Sequence, residues 1–480
     1  MNERKKLVRS AKHRVARRSK DGGIALVMVT GAIVVLTVLL AEFQEETGAE
    51  VAAASSSRDM LEAEYSAKSG LALARLLIAT EPTIRAAIAP LFAMMKKKPP
   101  QIPVWEFADQ ILFAFNGDGE EEGADAGAFS SFTTGFAAGG TGKNLRLPGG
   151  HFEIVVVDED AKIDINQGTS NEIARVRLGK QLTGLFISPQ YNPLFEQRSE
   201  TGQIYDRPSI CRNIVDWADV DELAFQCDFQ NNSQNQGAEN NSIYQQLKRP
   251  YRAKNAPFDS LDELRMVQGI GDDFWATFVD PEPAKPAKRL FTVWGQGAIN
   301  VNTANPQTLL AVVCSGAPAA EICTDLLQSS MFITGVTMAR SVTMGAPLFG
   351  TPADFIQALT GKGQLGPMLA GMGMKPVVFQ SQAEFAKTIA TESKVFSVYA
   401  AGIKKGYKRD TRVGIHAVLD FRTAQANAAS GMSGMASGAV PGAVPSAAAS
   451  GGVSASGAAG TVAGLVQPAT GGTLVYYRQD

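Results

Sequence analysis

Histidine and cysteine are scarce in this 480-residue sequence, and several signatures of enzymes are missing. The three histidines, His13, His151 and His416, lie far apart without a neighbouring nucleophile motif, so neither a catalytic triad nor a histidine-based metal centre is predicted. The cysteines form no C-x-x-C, which argues against zinc and thioredoxin-type sites. The GTGK at 140–143 lacks the glycine spacing and the Ser/Thr of a Walker loop. The sequence therefore predicts that the protein is not an enzyme.

Charge is absent from residues 24–41, an apolar run of the kind that crosses membranes. As a helix rising about 1.5 Å per residue, this run is about 27 Å long, close to the hydrocarbon thickness of a bilayer. Nine basic residues against two acidic ones precede it within residues 1–23. The positive-inside rule then keeps the N-terminus in the cytoplasm and places the remainder outside.

Two kinds of processing are compatible with this leader. An ordinary secretory signal could be cut at 47–49, where the residues are small, although the apolar run is long for such a signal. Alternatively, Gly22-Gly23 before Ile24 resembles a type III signal peptide, which prepilin peptidase cuts directly after the glycine. That resemblance implies cleavage after Gly23 and methylation of Ile24. Met28 stands at the fifth mature position, where most pilins carry a glutamate that neutralises a neighbouring subunit's amine.

The near-neutral total charge conceals an acidic exported part. Without residues 1–23, the chain has 36 basic and 45 acidic residues, a net charge of −9, which argues against nucleic acid as a partner. The cysteines fall into two local pairs, and each pair is either a disulfide or two buried thiols. The four residues are Cys211, Cys227, Cys314 and Cys323.

The helix of the apolar run is predicted to continue to about residue 80 and to end at Pro82, for a length near 85 Å. Its exported half carries an apolar stripe at steps of three and four residues. The stripe consists of Met60, Ala63, Ala67, Leu71, Ala74 and Ile78.

Strand patterns lie on both sides of a long helical middle part. HFEIVVVDEDAKIDIN, from His151, predicts a strand, and residues 394–422 predict two antiparallel strands joined by a charged turn at 408–410. An Ala/Gly/Ser-rich flexible linker follows at 424–472. The terminal LVYYRQD is predicted to pair back onto the sheet.

The middle part contains two local helix signals. SLDELRMVQGIGDDFWATF, at 260–278, has the form of a helix-hairpin-helix, which either grips phosphates through backbone amides or serves a structural role. Asp272 and Asp273 after the hairpin would repel phosphate. Asn305 and Pro306 predict the cap and first position of a further helix, and Thr351 opens another.

Several motifs together resemble the K-type minor pseudopilin of the type II secretion system. They are the leader, IVDWADVDE, RPYRAKNAPFDSLDELRMVQGIG, INVNTA, the closing hairpin and the terminal VYYRQD. The resemblance implies an α+β fold, with a pilin-like long N-terminal helix packed on an antiparallel sheet. A large α-helical insertion, SAM-like or helix-hairpin-helix-like, interrupts that sheet. The acidic loop at 117–125 and the long linker depart from the family pattern.

The implied organisation comprises seven segments. They are a leader (1–23), the membrane span with the long helix (24–82), the first part of the pseudopilin domain (83–165), the helical insertion (166–390), the return strands (391–423), the linker (424–472) and the terminal strand (473–480). The protein would then be a single-pass protein of the bacterial inner membrane, with its N-terminus cytoplasmic and its main body periplasmic.

The resemblance also implies a function without catalysis. The protein would lie at the tip of the pseudopilus, initiate its assembly and support export of folded proteins through the outer membrane. Its partners would be the I- and J-type minor pseudopilins, the major pseudopilin, prepilin peptidase and the inner-membrane assembly platform. The alternatives are a membrane-anchored extracytoplasmic protein for DNA binding or uptake, and a type IV minor pilin.

Calcium is the one cofactor that the resemblance implies, in the helical insertion. Asp216, Asp219 and Asp221 are spaced so that two or three carboxylates converge if the segment is a loop, and Ca²⁺ prefers six to eight oxygen ligands. Glu239 and Asn240 are further candidate ligands because the family has a similar acidic element there. The alternative is an acidic turn that caps a helix.

Overall fold

The structure is a computed structural model that describes residues 22–94, 97–108, 150–423 and 472–480. Short stretches within these ranges are excepted, namely 197, 199–201, 203, 230–241, 248, 344, 364 and 407–408. Three predicted segments lie almost entirely outside the described residues: the leader, the acidic loop at 117–125 and the linker at 424–472.

The regular elements are numbered in chain order. The α-helices are α1 (Gly22–Met94), α2 (Glu172–Phe186), α3 (Asn192–Glu196), α4 (Arg207–Ala218), α5 (Ser242–Gln245), α6 (Asp272–Phe274), α7 (Pro306–Gly316), α8 (Glu321–Thr324), α9 (Leu326–Val342), α10 (Pro352–Leu359), α11 (Gly366–Gly371) and α12 (Gln382–Ala386). The strands are β1 (Gly150–Asp158), β2 (Ile163–Asp164), β3 (Phe291–Thr292), β4 (Ile299–Asn300), β5 (Ile389–Ala390), β6 (Val395–Lys404), β7 (Thr411–Asp420) and β8 (Thr473–Gln479).

The long helix α1 extends further than its sequence pattern predicts. It has 73 residues, about 110 Å at 1.5 Å per residue, and includes Pro82 and Pro90. The prediction that the helix ends at Pro82 is therefore wrong. A proline removes one backbone hydrogen bond and bends a helix, but contacts on either side can keep the helix continuous. Here Ile78 and Ile84 both pack against the same apolar cluster of the sheet.

The C-terminal half of α1 lies against the sheet through small side chains. Ala63, Ala67 and Ala74 of the predicted stripe are at most 1% exposed, whereas Met60 at the end of the stripe is 54% exposed. The helix approaches β6 so closely that a Cβ built on Gly402 would lie 1.9 Å from the carbonyl oxygen of Ala63. Glycine is therefore required at that position of the strand.

The main sheet is antiparallel, with the strand order β1-β6-β7-β8. β6 and β7 form the predicted closing hairpin, and β8 pairs along β7 at the edge, which confirms the predicted return of the terminal strand. β1 pairs with β6 from Gly150↔Lys404 to Asp158↔Phe396. The pilin-like helix and the antiparallel sheet predicted from the sequence are thus confirmed.

A helical insertion separates β1 from β6. The members of its hydrophobic core all lie between Ala161 and Ile389, so the insertion has a core distinct from that of the helix and sheet. Two short parallel pairs, β2 with β3 and β4 with β5, lie near the points where the chain enters and leaves this unit.

The predicted hairpin at 260–278 is present in a modified form. Its first arm is a 3-10 helix, Leu261–Met266, and its second is α6 followed by a π-helical turn, Trp275–Val279. Gly269 forms the bend with φ of +91°, a conformation that glycine adopts without strain. The predicted caps of α7 and α10 are confirmed, since the Asn305 side chain accepts from the backbone of Gln307 and Thr351 forms a capping box with Asp354.

Candidate functional site

The N-terminal half of α1 carries an exposed apolar surface. Its apolar window has a mean hydropathy of 2.8, and none of it is buried within the protein. Ile24 is 66% exposed and Met28 71%. The hydroxyls of Thr30 and Thr37 donate to carbonyls of the preceding turn, which satisfies polar groups inside an apolar run. By length and composition this segment can span a membrane, and Gly23 and Ile24 lie in its first turn.

Buried carboxylates join the helical insertion to the sheet. The side chain of Asp158, at the end of β1, accepts from the Thr303 hydroxyl at 2.5 Å and from the Ser393 hydroxyl. Asp160 accepts from the backbone amides of Gln296, Lys394 and Val395 at 2.7–3.1 Å. These contacts hold the chain where it leaves the sheet and where it returns. We call Asp158 and Asp160 with these partners the acidic junction.

Burial raises the pKa of both junction carboxyls, and the charge of Asp158 contributes further to the rise at Asp160. Glu159, between them, forms an ion pair with Lys162 at 3.0 Å, and both side chains are about 5% exposed or less. Nitrogen and hydroxyl donors thus surround a chain segment with three consecutive acids. Such burial is unusual for acidic residues unless they are paired or hydrogen-bonded.

The junction explains the INVNTA motif. Asn300 donates to the Ser393 hydroxyl at 2.6 Å, and Thr303 binds Asp158. Asn302 pairs with both backbone groups of Phe349 at 2.9 Å. The motif therefore fixes one edge of the insertion to the return point of the chain.

Charged side chains connect the C-terminal part of α1 to the point where the chain returns to the sheet. Glu81, which is 2% exposed, accepts from the backbone of Ile102 and pairs with Arg85 at 3.1 Å. Arg85 also pairs with Glu392 at 2.8 Å. Gln101 makes two hydrogen bonds to the backbone of Ser393, at 2.6 and 2.9 Å. Helix, sheet and insertion consequently meet at residues 392–395.

The sequence motifs did not identify the acidic junction, because the run HFEIVVVDEDAKIDIN predicts only a strand. Three acids in a row after an apolar strand were the available signal. The partners of Asp158 lie 145 and 235 residues away, so the local pattern could not show that the acids are buried.

The structure gives the predicted metal ligands that it describes two different kinds of partner. Asp219 and Asp221 both form ion pairs with Arg175 of α2, while Asp216 accepts from the backbone amide of Phe225 at 2.8 Å. Glu239 and Asn240 lie outside the described residues. Within the described part of the chain, no group of three or more His, Cys, Asp or Glu side chains is placed to hold a metal.

These contacts do not fit a calcium site as they stand. Carboxylates are the right ligand chemistry, but a guanidinium already lies between two of them, and Ca²⁺ requires six to eight oxygens. Hydrogen bonding to Arg175 lowers the pKa of Asp221, which keeps that carboxylate ionised. Calcium binding remains a prediction of the sequence.

Both cysteine pairs form disulfides. Cys211 of α4 is joined to Cys227, and Cys314 of α7 to Cys323 of α8. The first bond closes the loop that contains the three aspartates. Closing a loop of this size stabilises a fold by about 3 kcal/mol.

His416 is the histidine of β7, and its surroundings are aromatic. It stacks on Tyr399 at 4.2 Å between ring centroids and lies 5.2 Å from Tyr476. Burial lowers its pKa to about 4, so the ring is neutral near pH 7. These contacts pack the ring against two tyrosines of the sheet, and among the described residues they offer no nucleophile for the ring to activate.

The fold defines a pilin-like class of protein: a long N-terminal helix, whose first half is long and apolar enough to span a membrane, packs on an antiparallel sheet that a helical unit interrupts. A family model described as type II secretion system (T2SS), protein K matches residues 190–278. The matched range includes IVDWADVDE and the predicted hairpin. The resemblance to a K-type minor pseudopilin is thereby confirmed, and this family is structural and not enzymatic, as predicted.

Among the solved structures that are similar to part of the chain is the crystal structure of the GspK-GspI-GspJ complex from the enterotoxigenic Escherichia coli Type 2 Secretion System. The identity is 15%, the TM-score is 0.35, and the match covers 57% of this chain and 76% of that chain. No curated protein sequence matches the chain.

Proposed function

We propose that this minor pseudopilin lies at the tip of the type II secretion pseudopilus, where it initiates assembly and supports export of folded proteins through the outer membrane. The observation that carries the proposal is the position of the insertion. Ser66 contacts the start of β1, whereas Glu81 and Arg85 are linked to the junction side, so the insertion leaves the sheet toward the membrane-distal end of α1. A further subunit placed beyond this end of α1 would need the space that the insertion occupies.

The proposal includes processing of the leader. Prepilin peptidase would cleave after Gly23, and Ile24 would become the methylated N-terminus of a helix held in the inner membrane. The N-terminus of the precursor would be cytoplasmic and the main body periplasmic. Met28 supports a terminal position, because a subunit at the tip has no subunit above it whose amine must be neutralised.

The proposed partners follow from the same class of protein. The similar solved chain is part of a complex with GspI and GspJ, and we propose the corresponding I- and J-type minor pseudopilins for this protein. The major pseudopilin and the inner-membrane assembly platform would contact it during filament growth. The exposed apolar half of α1 is the surface on which such helix contacts would form in the membrane.

Mass spectrometry of the mature N-terminus tests the processing step. In cells with prepilin peptidase we expect an N-methylated peptide beginning at Ile24, and in cells without it an intact leader. A start near Glu50 in both strains would indicate an ordinary secretory signal and would contradict the proposal. Copurification of I- and J-type minor pseudopilins with the mature protein is the second expected result.

The hairpin supports DNA binding less well than it supports a structural role. The side chain of Asp272 is 93% exposed beside the bend and pairs with Arg265 at 2.9 Å, so the guanidinium that could contact a phosphate already has a carboxylate partner. Salt-dependent binding of the purified chain to a DNA duplex would favour the DNA-uptake alternative over the pseudopilus tip.

A further inference from the structure

Arg175 occupies the centre of the aspartate loop that follows α4. One nitrogen of its guanidinium, Nη1, lies 3.2 Å from a carboxylate oxygen of Asp219 and also contacts one of Asp221. The Asp219 side chain is 2% exposed and that of Arg175 is 24% exposed. A single positive group thus bridges two carboxylates and ties the loop to α2.

The other contacts of the loop do not compete with Arg175 for the two carboxylates that it bridges. The second oxygen of Asp221 accepts from the backbone amide of Leu223 at 3.0 Å, and Asp216 is directed to the amide of Phe225 at 2.8 Å. The disulfide between Cys211 and Cys227 fixes the two ends of the loop. The loop is therefore closed by a covalent bond, backbone hydrogen bonds and one guanidinium.

We propose that Arg175 takes the place of a divalent cation in this loop, so that the helical insertion folds and remains folded without calcium. Two carboxylates held close together repel each other unless a positive group lies between them. Either a divalent ion or a guanidinium can fill that role, but not both at once, because two positive groups at contact distance repel each other. Nη1 carries two hydrogens, so this single nitrogen can donate to both carboxylates.

Thermal unfolding of the full chain, purified in detergent, tests the proposal. For the wild type we expect the same unfolding temperature in excess EDTA and in millimolar calcium. Arg175→Ala should unfold several degrees lower in EDTA and recover part of that loss in calcium, because the freed carboxylates then accept the ion. Arg177→Ala, on the same helix, is the matched control and should behave as the wild type does.

Two results would overturn the proposal. One is a wild-type unfolding temperature that rises by several degrees with calcium, with calorimetry showing saturable binding that Asp219→Asn abolishes. The other is an Arg175→Ala protein as stable in EDTA as the Arg177→Ala control. If Arg175→Ala does not fold, calcium titration of the wild type alone still decides the question.

Discussion

Asp164 is a buried carboxyl at the base of the helical insertion. It is 7% exposed, and one of its oxygens accepts from the backbone amide of Asn166 at 2.9 Å. Burial raises the pKa of Asp164 to about 7. The folded chain therefore holds a proton on this group in a pH range where the unfolded chain has already released it.

Asp164→Asn should remove a pH dependence of stability. Between pH about 4 and about 7 the wild-type folded state binds more protons than the unfolded state, so the contribution of Asp164 to the free energy of unfolding falls as pH rises. Asparagine keeps the acceptor for Asn166 and cannot ionise. We expect the variant to be more stable than the wild type by about 3 kcal/mol at pH 8 and equal to it near pH 4.

Urea unfolding at several pH values measures this difference. Glu153→Gln is the control, because Glu153 is an exposed residue of β1 that pairs with Arg412 at the surface. The raised pKa of Asp164 would be contradicted if the free energies of unfolding of Asp164→Asn and the wild type differed by the same amount at every pH from 4 to 8.

At the scale of elements, the contact between α1 and β6 depends on the absence of a side chain. Gly402→Ala would place a methyl group 1.9 Å from the Ala63 carbonyl and 2.6 Å from the Ala67 amide, both of which belong to helix backbone that cannot move aside locally. We expect a loss of stability of about 3 kcal/mol, or a shift of α1 off the sheet. Chemical denaturation followed by tryptophan fluorescence measures the loss, and Trp105, one of the four tryptophans, packs on Phe396 of β6.

Gly414→Ala is the matched control on the next strand. A Cβ at Gly414 meets only the Asp480 side chain, at 3.9 Å, so the substitution should change stability by less than about 0.5 kcal/mol. Equal effects of the two substitutions would mean that strand propensity, and not the contact with the helix, determines the loss.

The sequence predicted those elements whose signals are local. The period of the apolar stripe indicated α1, alternation indicated β1, β6, β7 and β8, and the caps at Asn305 and Thr351 indicated α7 and α10. The end of α1 was missed because a proline is a local signal, whereas the contacts of Ile84 and Glu81 that keep the helix continuous are made with distant residues. The acidic junction and the partnership of Arg175 with Asp219 were missed for the same reason.

At the scale of the whole molecule, the acidic junction connects the insertion to the helix-sheet unit. Asp160→Ala would remove the acceptor of three backbone amides, on Gln296, Lys394 and Val395. Burial raises the pKa of Asp160 to about 7, so the acceptor is charged at pH 8. Hydrogen bonds to a charged acceptor stabilise by about 1.5–3 kcal/mol each, so exchange at these amides at pH 8 should accelerate at least about tenfold. Hydrogen exchange with mass spectrometry measures the exchange rates on peptides that cover 290–297 and 392–397.

Peptides from α1 and from β7 should keep wild-type exchange rates in Asp160→Ala. Glu153→Ala, at an exposed position of β1, should leave the junction peptides unchanged. Faster exchange across the entire sheet would show that Asp160 supports the global fold and not the connection between the two parts.

The pairing of β1 with β6 sets an order of events during synthesis. Asp158 meets Phe396, so the ribosome must add more than two hundred residues before the second strand of the sheet exists. Throughout that interval the alanine stripe of α1 has no sheet to cover it. Segments that await distant partners are exposed to aggregation, whereas the insertion can complete its own core and disulfides first. Chaperone demand during biogenesis should therefore be concentrated on the C-terminal half of α1, and variants that slow the folding of the insertion should prolong it.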